Sequence, residues 1–594
     1  MTRISLALTL TLLATAALAA PSIPDILPAE TFVAVGTPDR TALFEGFEHS
    51  PAYALWQDPS VQAFFDPLID MATEALADPT GSRVVGLEEL CDLFPGQICA
   101  GLLRISLING NSDIAPFFAA ETDRPQRVLE ILEDLIEASG AEQQRDTYTV
   151  RDVTVARNTL HFARPTALPG EVGDEPGMEL ASAMQSVTLH TAVADGLVII
   201  SIDEPLDAVI HNLRGGGDGG LREGDSMRGT RTLAEDPDHQ LFLHINPTVF
   251  DRFVREAGAE NPHANLAALG IGDIRGMSLW ANLGEEASDG WFAMTVAPEP
   301  LGFGRILRLS QPGEVPAVDW VPTEVISFST DNFDLGAAYR ELRSILRAVS
   351  PDIDEFITMG MMSARDSLGV DLEADLLMQL GSGLTSYSVA NPAAETNMYA
   401  APTSDVMILG LVDAARVQGM LQRLTQSPEG SANQMGLGAM LQASEYLGQT
   451  IYSPPPLFGG PMGAAGLPSF AVIGDSLVFA SSGDEMRSVI AASQGQMEAN
   501  IRQSPIWEEI EAHRLEGASA IGYQDDAAMM ASMMSGLQQM AFLMMMNPQF
   551  SLPIDLTRVP GEEVFEAHLT HTITSSRTTP QGVLGHSHSP HHTE

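Results

Sequence analysis

The chain repeats itself at long range, and that repetition limits its architecture more than any motif. Asp195-Gly196-Leu197-Val198-Ile199-Ile200-Ser201 returns 280 residues later as Asp475-Ser476-Leu477-Val478-Phe479-Ala480-Ser481, and Val209-Ile210 returns as Val489-Ile490. Pro28-Ala29-Glu30-Thr31-Phe32-Val33-Ala34-Val35 is matched by Pro322-Thr323-Glu324-Val325-Ile326-Ser327-Phe328-Ser329, each a proline-led run into β-type residues. Leu243, Ile245 and Asn246 resemble Ile521, Tyr523 and Gln524, and Leu87-Glu88 with Gly96 resembles Leu372-Glu373 with Gly381. Two copies at this period read as tandem domains, too few and too long for a solenoid. Copy A is expected at residues 27–312 and copy B at 320–594, joined by a linker at 313–319 within the proline-, glycine- and acid-rich stretch Gln311–Asp319.

Within each copy, helical and strand periods interleave without the regular alternation of a parallel sheet. Leu103, Ile105 and Leu107 alternate with Arg104 and Ser106, which is strand spacing. Val128, Ile131, Leu132, Leu135 and Ile136 fall on one helical face behind Asp123-Arg124-Pro125, and Val417, Met420, Leu421 and Leu424 repeat it in copy B. Asp195-Gly196 is a tight hairpin turn. Hairpins followed by helices that return to one sheet face predict an α+β fold, each copy a mainly antiparallel sheet with helices packed on it.

Residues 1–19 carry the marks of a signal peptide: Arg3, an apolar stretch from Ile4 to Leu13, and the A-x-A site Ala17-Leu18-Ala19. Residues 20–26 then read as an N-terminal linker, and no cysteine follows the cleavage site to take a lipid anchor. The expected product is exported, periplasmic or extracellular in a bacterium. Leu27-Pro28-Ala29-Glu30-Thr31 and the later Gly369-Val370-Asp371-Leu372-Glu373-Ala374-Asp375 resemble motifs of an uncharacterised family of large exported bacterial proteins carrying a domain of unknown function. The resemblance covers most of the mature chain and implies neither an activity nor a site.

Composition removes whole classes of chemistry. None of the 594 residues is lysine, so Schiff bases, P-loops, kinase-type ATP sites and Ser–Lys hydrolases are excluded. Seventy-eight carboxylates against thirty arginines give a formal charge of −48, which argues against nucleic acid and against charge-driven binding to anionic lipid. Adaptation to a salt-rich habitat and GC-rich coding bias both account for this balance, and the sequence leaves the two open. In an oxidising compartment Cys91 and Cys99, either side of a Pro95-Gly96 turn, are expected to form a disulfide. In copy B the same register carries Leu376 and Leu384, which marks both positions as buried.

Several motif-like strings dissolve on inspection. Gly474-Asp475-Ser476-Leu477 spells an esterase nucleophile block, yet its copy A counterpart Ala194–Leu197 is a hairpin, so Asp475-Ser476 reads as a turn, and no D-x-x-H follows. Gly215–Gly220 satisfies G-x-G-x-x-G but follows a helical run, Leu206–Leu213, where a dinucleotide loop follows a strand, so it reads as a flexible loop. No catalytic residue and no organic cofactor is assigned.

Two features remain as candidate sites. Six of the fourteen histidines fall in the last 27 residues, and His586, His588, His591 and His592 are candidate ligands for zinc, copper or nickel, with His586 and His588 on one face of an expected strand. Ala527–Met546 is uncharged and holds eight methionines. Its length would span a bilayer, but the copy A counterpart carries Asp251, Arg252, Arg255 and Glu256, so a membrane span is not expected. Met529, Met530, Met533, Met534, Met540 and Met544 are a candidate partner surface for an unknown protein or apolar ligand. Ser453–Ser469 is a long Pro/Gly-rich loop between two copy B strands. The functional expectation is an exported non-catalytic binding or interaction scaffold of unknown oligomeric state. The alternatives are an exported hydrolase with a dispersed site and metal capture through the tail.

Overall fold

The computed structural model describes residues 21–76, 92–108, 111–161, 186–217, 219–252, 266–313, 317–395, 401–426, 441–454, 468–545 and 558–592. Contacts divide the chain into two units. The first is drawn from Met1–Glu45, Ala75–Ala257 and Arg275–Asn282, the second from Gly46–Glu74, Gly258–Ile274 and Leu283–Glu594. Both are α+β, with helices on antiparallel strands, as the interleaved periods predict.

In the first unit the strands are β1 (Val33–Thr37), β2 (Ile98–Ile108), β3 (Asn111–Glu121), β4 (Glu142–Val150), β5 (Val153–His161), β6 (Ser186–Ala194), β7 (Leu197–Ile202), β8 (Leu241–Ile245) and β9 (Ile274–Leu283). They pair in the order β4-β5-β6-β7-β3-β2-β1-β8-β9. In the second unit they are β10 (Ala287–Val296), β11 (Ser327–Asp334), β12 (Leu380–Ala390), β13 (Thr403–Leu411), β14 (Gln442–Tyr446), β15 (Gln449–Ser453), β16 (Ser469–Ile473), β17 (Ser476–Ala480), β18 (Ala520–Asp525), β19 (His571–Thr579) and β20 (Gly582–Pro590). Their order is β14-β15-β16-β17-β13-β12-β11-β18-β19-β20-β10. The nine-strand order of the first unit therefore recurs in the second, strand for strand.

The recurrence extends to single hydrogen bonds. The Leu221 amide donates to the Leu27 carbonyl (2.8 Å), and the Ile501 amide to the Val321 carbonyl (3.0 Å). The Asn246 amide donates to Phe32 (2.7 Å), and that of Asp525 to Ile326 (2.8 Å). Pro28 bridges to Gly220 as Pro322 does to Asn500. Gly220 is obligatory at its bridge, because a Cβ there would sit 1.9 Å from the Asp25 carbonyl oxygen. The run Gly215–Gly220, read from sequence as a flexible loop, is at that end a packed contact.

Letter matching misplaces some of this register by one residue. Ala34 lies opposite His244 and Phe328 opposite Tyr523, so Tyr523 answers to His244 rather than to Ile245. Gly36 lies opposite Cys99 and Thr330 opposite Thr385, so Cys99 answers to Thr385, not Leu384. Both Cys99 and Thr385 are buried. Irregularities between Leu102 and Arg104 and between Leu380 and Leu384 absorb the difference, and a slip of one residue exchanges the faces of a strand. The second-unit hairpin likewise turns on Gly474-Asp475, with Ile473 opposite Ser476, so Ser476 is the first residue of β17 rather than part of the turn. Asp195-Gly196 turns with both residues at positive φ (51° and 80°), as expected.

The stretches read as linkers carry core residues. Ile23, Ile26 and Val318 in those stretches are 1% exposed, and Leu27 and Val321 just beyond them are fully buried, because each segment sets apolar residues three apart on a short helical turn. The helices expected around Val128 and Val417 are Pro125–Ala138 and Ala414–Leu424, the second capped by the Asp413 carboxylate on the Arg416 amide (3.0 Å). Cys91, residues 455–467 of the long loop, and Arg255 and Glu256 lie outside the described residues.

Candidate ligand cavity

Helices α1 (Asp207–Leu213) and α2 (Asp225–Leu233) of the first unit have counterparts α3 (Gly483–Ser493) and α4 (Pro505–His513) in the second. A short 3-10 turn precedes α2 at Leu221–Glu223, and another precedes α4 at Ile501–Gln503. Leu221 and Ile501 are both fully buried, which pins the two helices at the same height. Met227 and Trp507 are then both the third residue of a nine-residue helix, and Arg222 and Arg502 occupy the same place in the turn before it.

The surroundings of these residues differ. In the second unit Arg502 donates to Asp319 (2.8 Å) and lies over the Trp507 ring, 4.8 Å from its centroid. In the first unit no hydrogen bond or ion pair of Arg222 occurs among the described residues. Met227 borders a cavity of about 220 Å³, whose apolar wall includes Ile23, Pro24, Ile98, Cys99 and Phe242. Arg222, Arg231 and His239 also line it. Arg231 is committed to Asp236 through a bidentate pair at 2.6 Å. Burial raises the carboxyl of Asp25, against the lowering effect of Arg222. The N-terminal segment is fixed by Gln97, whose Oε1 accepts from the Ile23 amide (2.9 Å) and whose Nε2 donates to Pro21 (3.1 Å).

A buried polar chain starts at the Met227 carbonyl. The Thr230 hydroxyl donates to Met227 O (2.9 Å), so in its 2.7 Å contact with Ser278 it accepts. Ser278 must then accept from His244 Nδ1 (2.8 Å), leaving Nε2 to accept from Ser226 (3.0 Å). Burial pushes the His244 pKa down to about 4, so the imidazole is neutral near pH 7 and Nε2 is the acceptor. Ser226–His244 has nucleophile-and-base geometry, but both residues are buried, no carboxylate orients the ring, and a Cβ on Gly276 would fall 2.8 Å from Ser226 Oγ. Ile506, Ile510, Tyr523 and Ile573 hold the corresponding places in the second unit, where they belong to or pack on a plain apolar core.

No protein-family model, curated protein or solved structure matches the chain. The site rests on geometry alone.

Two of the tail histidines are part of the sheet. His586 and His588 lie on β20, opposite Trp291 and Asp289, and Asp289 Oδ1 is 3.1 Å from His586 Nε2 and 2.9 Å from His588 Nδ1. The His513 ring stacks on His588 at 3.6 Å, and burial, then the charge of His588, lowers its pKa. His591 is held by Ser288 Oγ (2.9 Å) and Glu285 O (3.1 Å), and His592 Nε2 lies 3.2 Å from Leu569 O. His586 and His588 thus share Asp289 while His591 and His592 face other groups, and among the described residues no group of three or more His, Cys, Asp or Glu is placed to hold a metal ion.

The methionine-rich segment is helix α5 (Asp526–Met545). Met534 is buried with Ala527 against Phe565 of α6 (Glu562–His568), Met530 packs on the same cluster, Met529 is partly buried, and Met533 is 50% exposed. The side chains of Met540 and Met544 lie outside the described residues. Among the described residues no helix is long and apolar enough to cross a membrane. A different apolar stripe, missed in the sequence, runs along the helix Pro351–Leu368, where Ile353, Phe356, Met359 and Met362 are exposed. Their three-residue spacing was the available signal.

Proposed function

We propose that the protein is an exported, non-catalytic binding protein whose first unit holds a small, largely apolar ligand. The observation that carries this reading is the cavity of about 220 Å³ beside Met227, walled largely by apolar side chains and bordered by Arg222, which makes no hydrogen bond or ion pair among the described residues. Its counterpart region carries Trp507 beneath Arg502, so the fold tolerates a filled site and does not need an empty one. Ligand sites combine such apolar walls with a few polar groups that set orientation. Ser226–His244 resembles a hydrolytic pair, yet it is walled off by β9 and supports no substrate approach. Export is supported by the signal-like residues 1–19.

Native mass spectrometry of the full chain, purified from its export compartment, tests the reading. A small molecule that co-purifies with wild type and is lost from Met227→Trp is the expected result, along with a mature N-terminus at Ala20. Retention of the same molecule by Met227→Trp would place binding elsewhere and refute the proposal.

A further inference from the structure

The second unit displays what the first unit lacks, and this identifies the class of ligand. Resting on the binding reading above, we infer that the cavity takes an uncharged aromatic ring of about indole size, stacked against the guanidinium of Arg222. Asp319, Arg502 and Trp507 form a closed set: carboxylate on guanidinium at 2.8 Å, guanidinium over indole at 4.8 Å. The first unit keeps the acid and the base as Asp25 and Arg222, and replaces the indole by Met227 and free volume. The acid and the base are kept as residues but not as a contact, and the ring is the component with no residue in its place, so a ligand ring would supply what a side chain supplies in the other unit. Cation–π attraction is strongest for indole among the natural ring systems and grows when water is excluded. Size agrees, since an apolar cavity of about 150 Å³ accepts benzene.

Charge selects the neutral form. Arg231 is already paired with Asp236, and Arg222 acts on the carboxyls of both Asp25 and Asp236, so part of the positive charge at the site is answered by acids of this chain. The net charge of −48 repels anions further.

The experiment is titration calorimetry of the full mature chain with three probes: indole, indole-3-acetate and n-hexanol. Indole is expected to bind one per chain, at least ~10-fold more tightly than either of the others. Arg222→Gln should weaken indole by ~10-fold while leaving thermal unfolding in place. Met227→Trp supplies the ring internally and should abolish binding, and Trp507→Met should raise the stoichiometry from one to two. Equal binding of n-hexanol, or tighter binding of indole-3-acetate, overturns the aromatic or the uncharged assignment and leaves the binding reading standing. Absence of indole binding in wild type overturns this inference even if another molecule co-purifies. Indole binding that survives Met227→Trp overturns both.

Discussion

His244 Nε2 accepts a hydrogen bond from Ser226 Oγ at 3.0 Å inside a layer where the second unit has only apolar side chains and a tyrosine. The pair makes stability depend on pH. The folded imidazole has its pKa lowered from 6.5 to about 4, so between these values the unfolded chain binds a proton that the folded chain refuses. This contribution is fully present above pH 6.5 and is lost as pH falls towards 4, to a total of about 3 kcal/mol. Denaturant unfolding at pH 7 and pH 4 checks it against the double variant His244→Tyr with Ser278→Ile, which imports the second unit's residues. The variant should lose less stability on acidification. An equal loss would mean that His244 is not the group responsible.

Asp354 is expected to matter more than any exposed carboxylate of the second unit. It faces Arg343 at 2.8 Å and Arg347 at 3.1 Å, and both Arg343 and Asp354 are nearly buried. Removing the acid strands a buried guanidinium, at a cost of about 3–5 kcal/mol for Asp354→Ala. Asp484→Ala, at an exposed pair with Arg487, should cost about 0.5 kcal/mol or less. Urea midpoints of the two variants decide the matter, and similar values would show that burial adds nothing at Asp354.

How far these relationships could be read from sequence depends on the kind of residue involved. Pro28 and Pro322, Val209-Ile210 and Val489-Ile490, and the Asp195-Gly196 turn were legible, because turns and buried β-branched pairs tolerate few substitutes. The one-residue errors at Ile245 and Leu384 arose where hydrophobicity is similar on both faces, so only hydrogen-bond register fixes the alignment. The cavity was invisible for a different reason. It is an absence beside Met227, and it acquires meaning only when Met227 and Trp507 are known to occupy one place. The histidine tail was legible as a strand, but not its partners: Asp289 lies almost three hundred residues away.

Neighbouring methionines of α5 should respond unequally to truncation. Met534 is 7% exposed within the cluster around Phe565, whereas Met533 is 50% exposed. Met534→Ala should destabilise by about 2–4 kcal/mol and Met533→Ala by no more than about 0.5 kcal/mol. Thermal unfolding of both variants at one protein concentration is the measurement. A larger effect at Met533 would mean that this face is covered in solution, and would return the methionine helix to consideration as a partner surface.

Cys99 is expected to be chemically silent in the folded protein. It is 1% exposed, and burial pushes its pKa up to about 12. At pH 8 about one thiol in ten thousand would be ionised, and the thiolate is the reactive form. Reduced protein treated with maleimide at pH 8 should therefore leave the Cys99 peptide unmodified until denaturant is added, after which labelling proceeds within minutes. Fast labelling in native buffer would show that the wall of the cavity opens to solvent and that Cys99 is not held as placed. The same peptide map, run without prior reduction, decides the disulfide expected from sequence: a bridge returns Cys91 and Cys99 in one linked species that neither native nor unfolded protein allows the reagent to enter.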